Sequence, residues 1–479
     1  MAHHPQCFPV DNPTGSFWQA EEHVLSHHRS TEELLPHSDI VIIGAGYAGV
    51  GTAYHLAQEA DDRIGSITIL EARAACSGAT GRNGGHLRPD LYGHIPTYIG
   101  RAGSRAGAEI AEFEIAHIRA LKKFIEEEKI DCDLTVSRSI DVWCNEEAAK
   151  KAKEVYDFMV AKGFEYMDDV IFYTGENVEG VSTHYNGQNY QTNLYQICGV
   201  KGAIACASFT AATMWPYKFV MHLLQKLVAG NRINLQTQTP VNSIETDPTG
   251  GFLVQTPRGQ IHTYKVIHAN NAYVSGLLPE YNRNIVPCKG ICCRITVPEG
   301  VKPPLLNNSY IHRTDDNTLS YLIPRADGSI VVGGAAAKFK SFKEQWYNNV
   351  DDSILIDAAK NYYDGYMQRT FNGWENTGAK VDSIWSGVMG YSYDSNPHIG
   401  HIPRKDNQFI IAGFNGHGMP VIWLAARELA RMISHGIPFE DTTMPGLFKT
   451  SQFRIDRAMN GREEDGDILS TGKFLATKP

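Results

Sequence analysis

The chain has 479 residues, of which 42% are hydrophobic and 20% are charged, an ordinary globular composition that excludes a wholly disordered or collagen-like protein. The net charge of −9 argues against a protein that binds nucleic acid by neutralising phosphates, so no nucleic-acid partner is expected. The length predicts roughly three domain-sized units, and two interleaved domains would also fit.

No stretch of the sequence approaches about 18 consecutive apolar residues, so neither a membrane-spanning helix nor a membrane partner is expected. Residues 1–15 are polar and lack an apolar core, which argues against a secretory signal peptide. We therefore predict a cytoplasmic protein.

The nine cysteines are odd in number and scattered, and no C-x-x-C pair occurs. This pattern argues against a disulfide framework and against a structural zinc site. Because cysteine is among the residue types most often buried, we predict buried free thiols and no metal site.

Three local patterns follow one another near the start of the chain. Residues 38–44 form a β-branched run that ends in glycine, residues 49–59 have helical composition, and residues 66–71 form a second β-branched run. Short apolar runs with such flanks are typical of buried parallel strands. The order strand, glycine turn, helix and strand predicts a βαβ unit. Residues 1–37 before it are expected to be irregular, with one short helix at 18–25.

Gly44, Gly46 and Gly49 stand between the first strand and the helix in the spacing G-x-G-x-x-G. The first glycine allows a tight turn, the second lets a pyrophosphate approach the backbone, and the third lets the helix pack against the strand. The helix N-terminus offers free N–H groups and a positive dipole end to the phosphates. Glu71, which ends the second strand, can accept hydrogen bonds from ribose hydroxyls. Together these features predict a dinucleotide site.

Two further glycine-rich segments distinguish an FAD site from an NAD site. Residues 78–86 hold four glycines shortly after Glu71, and residues 413–418 hold three before the last predicted helix. Small residues let the backbone lie against a flat, extended ligand. The N-terminus of the last helix could stabilise the anionic form of a reduced flavin. FAD is a ligand long enough to touch all three segments.

Alternating sequences dominate between residues 288 and 334 and indicate a mostly antiparallel sheet. A long amphipathic helix is predicted at 105–130. The predicted fold class is therefore α/β, a Rossmann-type FAD-binding domain interleaved with a mostly antiparallel β-sheet substrate domain that carries helices. The predicted division has a lead-in at 1–37, FAD-binding segments at 38–104, 195–285 and 385–436, substrate-domain segments at 105–194 and 286–384, and a C-terminal extension at 437–479.

Several further motifs resemble those of a known superfamily. Residues 16–18 read Ser-Phe-Trp, residues 81–85 read Gly-Arg-Asn-Gly-Gly, residues 215–217 read Trp-Pro-Tyr, and residues 394–400 read Asp-Ser-Asn-Pro-His-Ile-Gly. Their number and order resemble the D-amino-acid oxidase/glycine oxidase superfamily of flavoproteins over residues 16–435. Within it, the chain is most similar to the γ-glutamylputrescine oxidoreductase branch.

The resemblance implies an FAD-dependent oxidoreductase that oxidises the C–N bond of an amine to an imine by hydride transfer to flavin N5, with reoxidation by O2 or another electron acceptor. It implies that Val241 holds the adenine and Glu71 the ribose, that residues 80–86 lie along the isoalloxazine, and that residues 413–419 cover its pyrimidine end. The residues expected to contact FAD are Gly44, Gly46, Tyr47, Ala48, Gly49, Glu71, Ala72, Arg73, Gly78, Ala79, Thr80, Arg82, Asn83, Gly84, Gly85, His86, Val241, Gly413, Asn415, Gly416, His417, Gly418 and Met419.

The candidate catalytic residues are His417, His86 and Arg88. The two histidines are the titratable groups nearest the expected ring and could tune amine protonation near neutral pH. Fixed hydrogen bonding of the loop backbone is the alternative interpretation. Arg88 corresponds roughly to an arginine near the flavin in sarcosine-oxidase relatives, and a salt-bridged surface residue is the alternative there.

The mode of FAD attachment also follows from the resemblance. Sarcosine-oxidase relatives attach FAD through a cysteine in the segment that corresponds here to residues 385–391, which contain none. The dimethylglycine-dehydrogenase type uses a histidine at a place that corresponds to Asn83. We therefore predict non-covalent FAD, and His86 is the remaining candidate for attachment.

The expected substrate is a small-molecule amine without an adjacent carboxylate. Relatives that act on small N-methyl amino acids place a lysine after Gly-His-Gly-x to bind the carboxylate, whereas Pro420 follows Met419 here. Aromatic residues suggest a larger or less charged amine, such as an N-substituted diamine: Tyr310, Tyr321, Trp385, Tyr391 and Tyr393. The alternatives are an FAD-dependent oxygenase that uses NAD(P)H on an aromatic or natural-product substrate, and a non-catalytic FAD-binding protein.

Overall fold

A computed structural model describes residues 7–59, 65–175, 182–185, 188–191 and 197–470. Its strands are β1 (Ile40–Ile43), β2 (Ile67–Leu70), β3 (His86–Leu87), β4 (Thr135–Trp143), β5 (Ile171–Thr174), β6 (Ser182–Tyr185), β7 (Gln188–Gln191), β8 (Ala205–Thr213), β9 (Asn234–Gln236), β10 (Ser243–Thr246), β11 (Phe252–Thr256), β12 (Gly259–Thr263), β13 (Lys265–His268), β14 (Ile285–Thr296), β15 (Ser309–Arg313), β16 (Leu319–Pro324), β17 (Ile330–Gly334), β18 (Lys380–Ser392), β19 (His398–His401) and β20 (Gln408–Ala412).

The α-helices lie mostly between the strands. They are α1 (Tyr47–Gln58), α2 (Ile95–Glu128), α3 (Glu146–Ala161), α4 (Pro216–Ala229), α5 (Ala336–Phe339), α6 (Tyr366–Thr370), α7 (Ile422–His435) and α8 (Gln452–Asn460). The predicted helix at 105–130 is the second part of α2, which begins at Ile95 and has a non-helical residue at Gly103 with φ of 88°.

The first sheet is the predicted Rossmann-type sheet. Its strand order is β19-β20-β13-β1-β2-β9, and every pairing is parallel except that of β19 with β20. Both β1 and β2 are buried along their whole length, because both faces of the sheet are covered. Helix α1 covers the face of Ile40 and Ile42, and strands β11 and β12 cover the face of Val41 and Ile43. Helix α1 packs against α4 and α7 on one side. The expectation of a βαβ unit is confirmed.

The second sheet is the larger one and is mostly antiparallel, as predicted. Its order is β18-β14-β17-β16-β15-β4-β8-β3, with β5 paired to β8, and only β15 and β4 run parallel. Strands β3 and β8, and part of β18, lie in segments that the sequence division assigned to the FAD-binding domain. The chain therefore crosses between the two sheets within those segments. The division itself stays a prediction.

Two small sheets complete the fold, one of β10-β11-β12 and one of β6-β7. The nine cysteines are free, and seven of them are buried. In the part of the chain that the structure describes, no helix is long and apolar enough to cross a membrane.

The short helix predicted at 18–25 is wrong. The structure has only a 3-10 turn at Phe17–Gln19, where the Ser16 side chain accepts a hydrogen bond from the Trp18 N–H group. Trp18 is fully buried and its backbone oxygen accepts a hydrogen bond from the Trp215 indole. These tertiary contacts hold the segment in a turn, which a local helical pattern cannot anticipate.

Burial lowers the pKa of several histidines far below the ordinary value of 6.5. The pKa falls to about 3 for His55, His86 and His117, and to about 4 for His268 and His312. These rings are neutral in the folded state, while the unfolded chain takes up protons already below pH 6.5. The contribution of these histidines to the free energy of unfolding is therefore greatest above that pH and falls as the pH drops towards the folded-state values.

We predict that His55→Phe reduces this acid sensitivity. His55 packs against Trp423 with ring centroids 4.3 Å apart and ring planes tilted by 52°, and its Nε2 is buried without a partner among the described residues. Phenylalanine keeps the ring contact and removes the titration. Between pH 6 and 4 the unfolding free energy of the variant should fall less steeply, by about 1.4 kcal/mol per pH unit. Urea unfolding across this range measures the slope, and an unchanged slope contradicts the prediction.

Candidate functional site

A cavity of ≈ 590 Å³ lies between the two sheets, at the end of β1 and β2 where their carboxyl termini meet α1. Open α/β sheets bind ligands at this edge. Most of the sequence-predicted contact residues line it: Gly44, Gly46, Tyr47, Ala48, Glu71, Ala72, Arg73, Gly78, Ala79, Thr80, Arg82, Asn83, Gly84, His86, Val241, Gly416, His417, Gly418 and Met419. Arg88 lines it as well.

Four predicted contact residues lie outside the cavity lining, where each has a structural role. A Cβ atom at Gly49 would lie 1.9 Å from the Gly44 oxygen, so Gly49 lets α1 pack against β1. Gly85 has φ of +73°, and its Cβ would meet the Met214 oxygen at 2.5 Å. Gly413 has φ of +78°. The Asn415 side chain accepts from the Ser392 N–H and donates to the Gly413 oxygen.

The turn between β1 and α1 presents backbone to the cavity. Gly44 has φ of +109°, and its Cβ would lie 2.8 Å from the Ala269 oxygen. At the start of α1 the Tyr47 N–H donates to the Thr80 hydroxyl at 2.9 Å. The next N–H groups of the first turn have no acceptor within the helix and are available to an anion.

Glu71 places a carboxylate beside this turn. One oxygen accepts from the Ala45 N–H at 2.9 Å and the other from the Arg73 N–H at 2.8 Å. Burial raises the pKa of Glu71 above its ordinary value, although these two hydrogen bonds oppose the shift. The carboxylate is thus fixed in the cavity wall with further lone pairs available for hydroxyl donors.

A buried ion-pair cluster supports the same wall from behind. Asp352, fully buried, accepts two hydrogen bonds from Arg73, at 2.9 and 3.1 Å, and lies 3.6 Å from the Arg82 Nε. Burial lowers the pKa of Arg82 to about 10. The Arg82 guanidinium also donates to the backbone oxygens of Thr14 and Ser386, so it joins three parts of the chain. Sequence reasoning missed Asp352.

The Asn83 side chain forms hydrogen bonds within its own loop. Its amide nitrogen donates to the Ala79 and Thr80 oxygens, and its amide oxygen accepts from the Gly85 N–H at 2.7 Å. His86 shares a hydrogen bond of 2.7 Å with the Ser309 hydroxyl, and burial, together with Arg88 and His417, lowers its pKa to about 3. His86 is therefore a neutral ring at physiological pH.

Arg88 is paired inside the protein rather than at the surface. Its guanidinium donates to both oxygens of the buried Asp141, at 2.9 and 2.8 Å, and lies 4.6 Å from the centre of the Phe209 ring. Tyr92 donates to the same carboxylate at 2.7 Å. The positive charge of Arg88 thus already has a counter-charge. Asp141 was missed by sequence reasoning.

His417 is held by a buried carboxylate. Its Nε2 lies 2.9 Å from Glu114 Oε2, and the Glu114 side chain is only 2% exposed. The same oxygen accepts from the Asp90 N–H. Glu114 was also missed, although it had a signal: an acidic residue lies on the apolar stripe of α2, one turn from the buried Ile110 and Ile118.

The large sheet supplies the remaining wall of the cavity. Of the aromatic residues considered from the sequence, Tyr321 and Tyr391 line the cavity, whereas Tyr310, Trp385 and Tyr393 do not. The Tyr321 hydroxyl and the Cys292 thiol are 2.9 Å apart. Among the described residues, no group of three or more histidines, cysteines or acids could hold a metal ion.

The doubly covered parallel sheet, its glycine turn and the cavity beside it define a dinucleotide-binding α/β protein. The chain belongs to the FAD-dependent oxidoreductase family, whose sequence profile matches residues 39–432. It is accordingly an FAD-dependent oxidoreductase of the D-amino-acid oxidase/glycine oxidase superfamily, as the sequence motifs predicted.

Individual relatives are distant but cover most of the chain. The probable oxidoreductase OrdL of Haemophilus influenzae is 24% identical over 433 residues, which cover 86% of this chain and 89% of the relative. The γ-glutamylputrescine oxidoreductase of Escherichia coli is 23% identical over 431 residues, covering 88% and 89%. The crystal structure of L-proline dehydrogenase from P. horikoshii superposes with a TM-score of 0.61 at 20% identity, covering 86% of this chain and 98% of that one. This structural likeness supports the fold.

Proposed function

We propose that FAD binds non-covalently in the cavity between the two sheets. The turn at Gly44 and Gly46 and the start of α1 would hold the pyrophosphate, and Glu71 would accept from the ribose hydroxyls. Residues 80–86 would lie along the isoalloxazine, and residues 416–419 would cover its pyrimidine end. The observation that carries this proposal is that one cavity is lined by all of these segments. A glycine cradle, a buried acceptor and free helix N–H groups fit the cofactor chemically.

We further propose that the enzyme oxidises an amine to an imine. Two features support this: the relative from Escherichia coli is named for a substituted diamine, and the Arg88 guanidinium, which lines the cavity, is already paired with Asp141. When bound, FAD supplies the acceptor for the hydride that leaves the carbon next to the amine nitrogen. O2 or another acceptor would then reoxidise the cofactor.

His417 is the residue of this chain that we assign to the amine proton. A carboxylate can only accept, so in the neutral ring the Nε2–H group donates to Glu114. The Nδ1 atom then keeps its lone pair and can take the proton of a substrate ammonium, which leaves the uncharged amine required for oxidation. His86, a neutral ring hydrogen-bonded to Ser309, would shape the wall rather than carry charge. Arg88 with Asp141 would form a neutral pair beside the substrate.

The test of this function is anaerobic reduction of the purified yellow protein. Amines from a panel that includes N-substituted diamines should bleach the flavin in the absence of NADPH. Reduction by NADPH alone, with no response to any amine, would instead indicate the flavin-dependent oxygenase. Oxygen uptake during turnover distinguishes O2 from another acceptor.

We predict that all of the flavin is released when the protein is denatured. Asn83 has no nucleophilic atom and its amide is occupied within the loop, and residues 385–391 contain no cysteine. Precipitation with acid should therefore leave the yellow colour in the supernatant. A washed pellet that keeps its flavin fluorescence would point to a covalent bond, with His86 as the first residue to examine by peptide mapping.

A further inference from the structure

The Ser-Phe-Trp motif and the residue after it contact the back of the cavity loop at 76–85. Ser16 donates its hydroxyl to the Gly81 oxygen at 2.6 Å, and the Trp18 indole donates to the Asn83 oxygen. Gln19 donates to the Cys76 oxygen at 2.8 Å. These residues precede the part of the chain that the family profile matches, which begins at residue 39.

A second indole contacts the same loop. Trp385 donates to the Arg82 oxygen at 2.9 Å, so the three successive carbonyl groups of residues 81–83 are each held by a side chain. Held carbonyl groups fix the orientation of the peptide planes, because each peptide unit is planar and trans. The loop thus has a defined orientation toward the cavity before any ligand binds.

Most N–H groups of residues 81–85 have an acceptor within the loop. Those of Gly81, Arg82 and Asn83 donate to backbone oxygens at Gly78 and Ala79, and that of Gly85 donates to the Asn83 side chain. The Gly84 N–H is left without an acceptor among the described residues. It belongs to the same peptide unit as the Asn83 carbonyl, and therefore points away from Trp18. Gly84 itself lines the cavity.

The bracing residues are themselves firmly fixed. Trp18 is fully buried, and Trp215 donates to its backbone oxygen at 2.8 Å. The Arg325 guanidinium lies 4.9 Å from the Trp18 ring centre and 4.6 Å from that of Trp215. Arg325 in turn pairs with Asp133 at 2.6 Å. A displacement of Trp18 would therefore disturb several contacts at once.

We infer that Ser16 and Trp18 are cofactor-positioning residues, which hold the loop so that the Gly84 N–H donates a hydrogen bond to FAD. The inference rests on the proposed placement of FAD in this cavity. Unpaired buried N–H groups are rare and costly, and a ligand acceptor would satisfy this one. The N-terminal segment thereby becomes part of the cofactor site, although it does not contribute a group that touches the reacting atoms.

The test compares two phenylalanine variants of the holoprotein. Trp18→Phe removes the indole donor to the Asn83 oxygen. Trp374→Phe is the matched control, because Trp374 is 1% exposed, lies outside the cavity lining, and its indole nitrogen has no partner among the described residues. FAD release is followed after dilution by the rise in flavin fluorescence, together with the visible absorption spectrum of the bound flavin.

We expect FAD to leave Trp18→Phe about tenfold faster than the native protein, with shifted flavin absorption bands, because one buried hydrogen bond is lost. Trp374→Phe should release FAD at the native rate. Ser16→Ala should also release FAD faster than the native protein does. If Trp18→Phe does not fold, the release rate of Ser16→Ala alone tests the inference. Native release rates and spectra in the folded Ser16 and Trp18 variants would overturn the inference.

Failure of this inference can be distinguished from failure of the proposed amine oxidation and of the proposed FAD site. FAD release does not depend on the substrate, so a protein that ignores every amine can still give the expected rates. If FAD binds elsewhere, a bulky side chain at Gly46 will leave the flavin content unchanged.

Discussion

Gly46→Val should yield a folded protein that purifies with less than about a tenth of the native FAD. Gly46 lines the cavity at the N-terminus of α1, and its Cβ would already lie 3.1 Å from the Thr80 hydroxyl that accepts from Tyr47. The two methyl groups of valine would occupy the space in which a pyrophosphate must approach the backbone. The ratio of flavin to protein absorbance after purification measures the loss.

Two further variants are compared with Gly46→Val, one as a control and one as a second change in the FAD site. Gly446→Val is the matched control, because Gly446 is exposed, has nothing within 4 Å of its Cβ position, and lies outside the cavity. It should keep its flavin. Glu71→Lys should lose FAD as Gly46→Val does, since lysine cannot accept from the Ala45 and Arg73 N–H groups or from ribose hydroxyls. Full flavin content in Gly46→Val would show that the glycine turn is not the pyrophosphate site.

N-substituted diamines should reduce the flavin at least about tenfold faster, as a second-order rate, than sarcosine, glycine or D-alanine. A carboxylate that enters the cavity needs a cation to offset its desolvation. Arg88 is already paired with Asp141, and the Lys289 ammonium donates to the backbone oxygens of Asp351 and Ile354. Lys340, the other lysine of the cavity lining, is an exposed residue in contact with water. Pro420 stands where the lysine of carboxylate-binding relatives was expected.

Stopped-flow mixing under anaerobic conditions measures these rates. Asp141→Asn provides an internal check, because it leaves the Arg88 guanidinium without its counter-charge. The preference of this variant should shift toward sarcosine. If sarcosine or a D-amino acid reduces the native flavin faster than every diamine derivative, the proposed substrate class is wrong, while the proposed FAD site remains.

The local part of the site could be predicted because its chemistry lies within short sequence spacings. The three glycines, the start of α1 and Glu71 all come from one βαβ unit, where the pattern of apolar runs fixes which residues share an edge. The second glycine cluster was informative for a related reason. Glycines clustered next to strand ends indicate either close backbone approach or positive φ angles, and both mark a specialised loop.

The partners of the predicted residues could not be found in the same way. Glu114 and His417 are separated by 303 positions, and Arg73 and Asp352 by 279. Such pairings depend on how two sheets meet, and no local period encodes them. The strand at Ala205–Thr213 illustrates the same limit, since the sequence analysis did not identify it and its place beside β4 in the large sheet depends on distant residues.

The predicted contact residues that lie outside the cavity lining have a physical explanation too. Gly49, Gly85 and Gly413 were expected at the ligand because they lie in ligand-binding motifs. In the structure they serve the backbone itself, through helix packing at Gly49 and positive φ angles at the other two. A glycine in a motif can thus be required one layer behind the surface that touches the ligand.

The proposed function requires that FAD in this cavity accept reducing equivalents from the C–N bond of an amine. An anaerobic single-turnover experiment tests it most directly, with the flavin absorbance and the organic product quantified in the same sample. The imine product hydrolyses in water to a carbonyl compound. We therefore expect one molecule of carbonyl compound for each FAD reduced, with no NADPH present. Flavin that stays oxidised with every amine and is bleached by NADPH alone would contradict it.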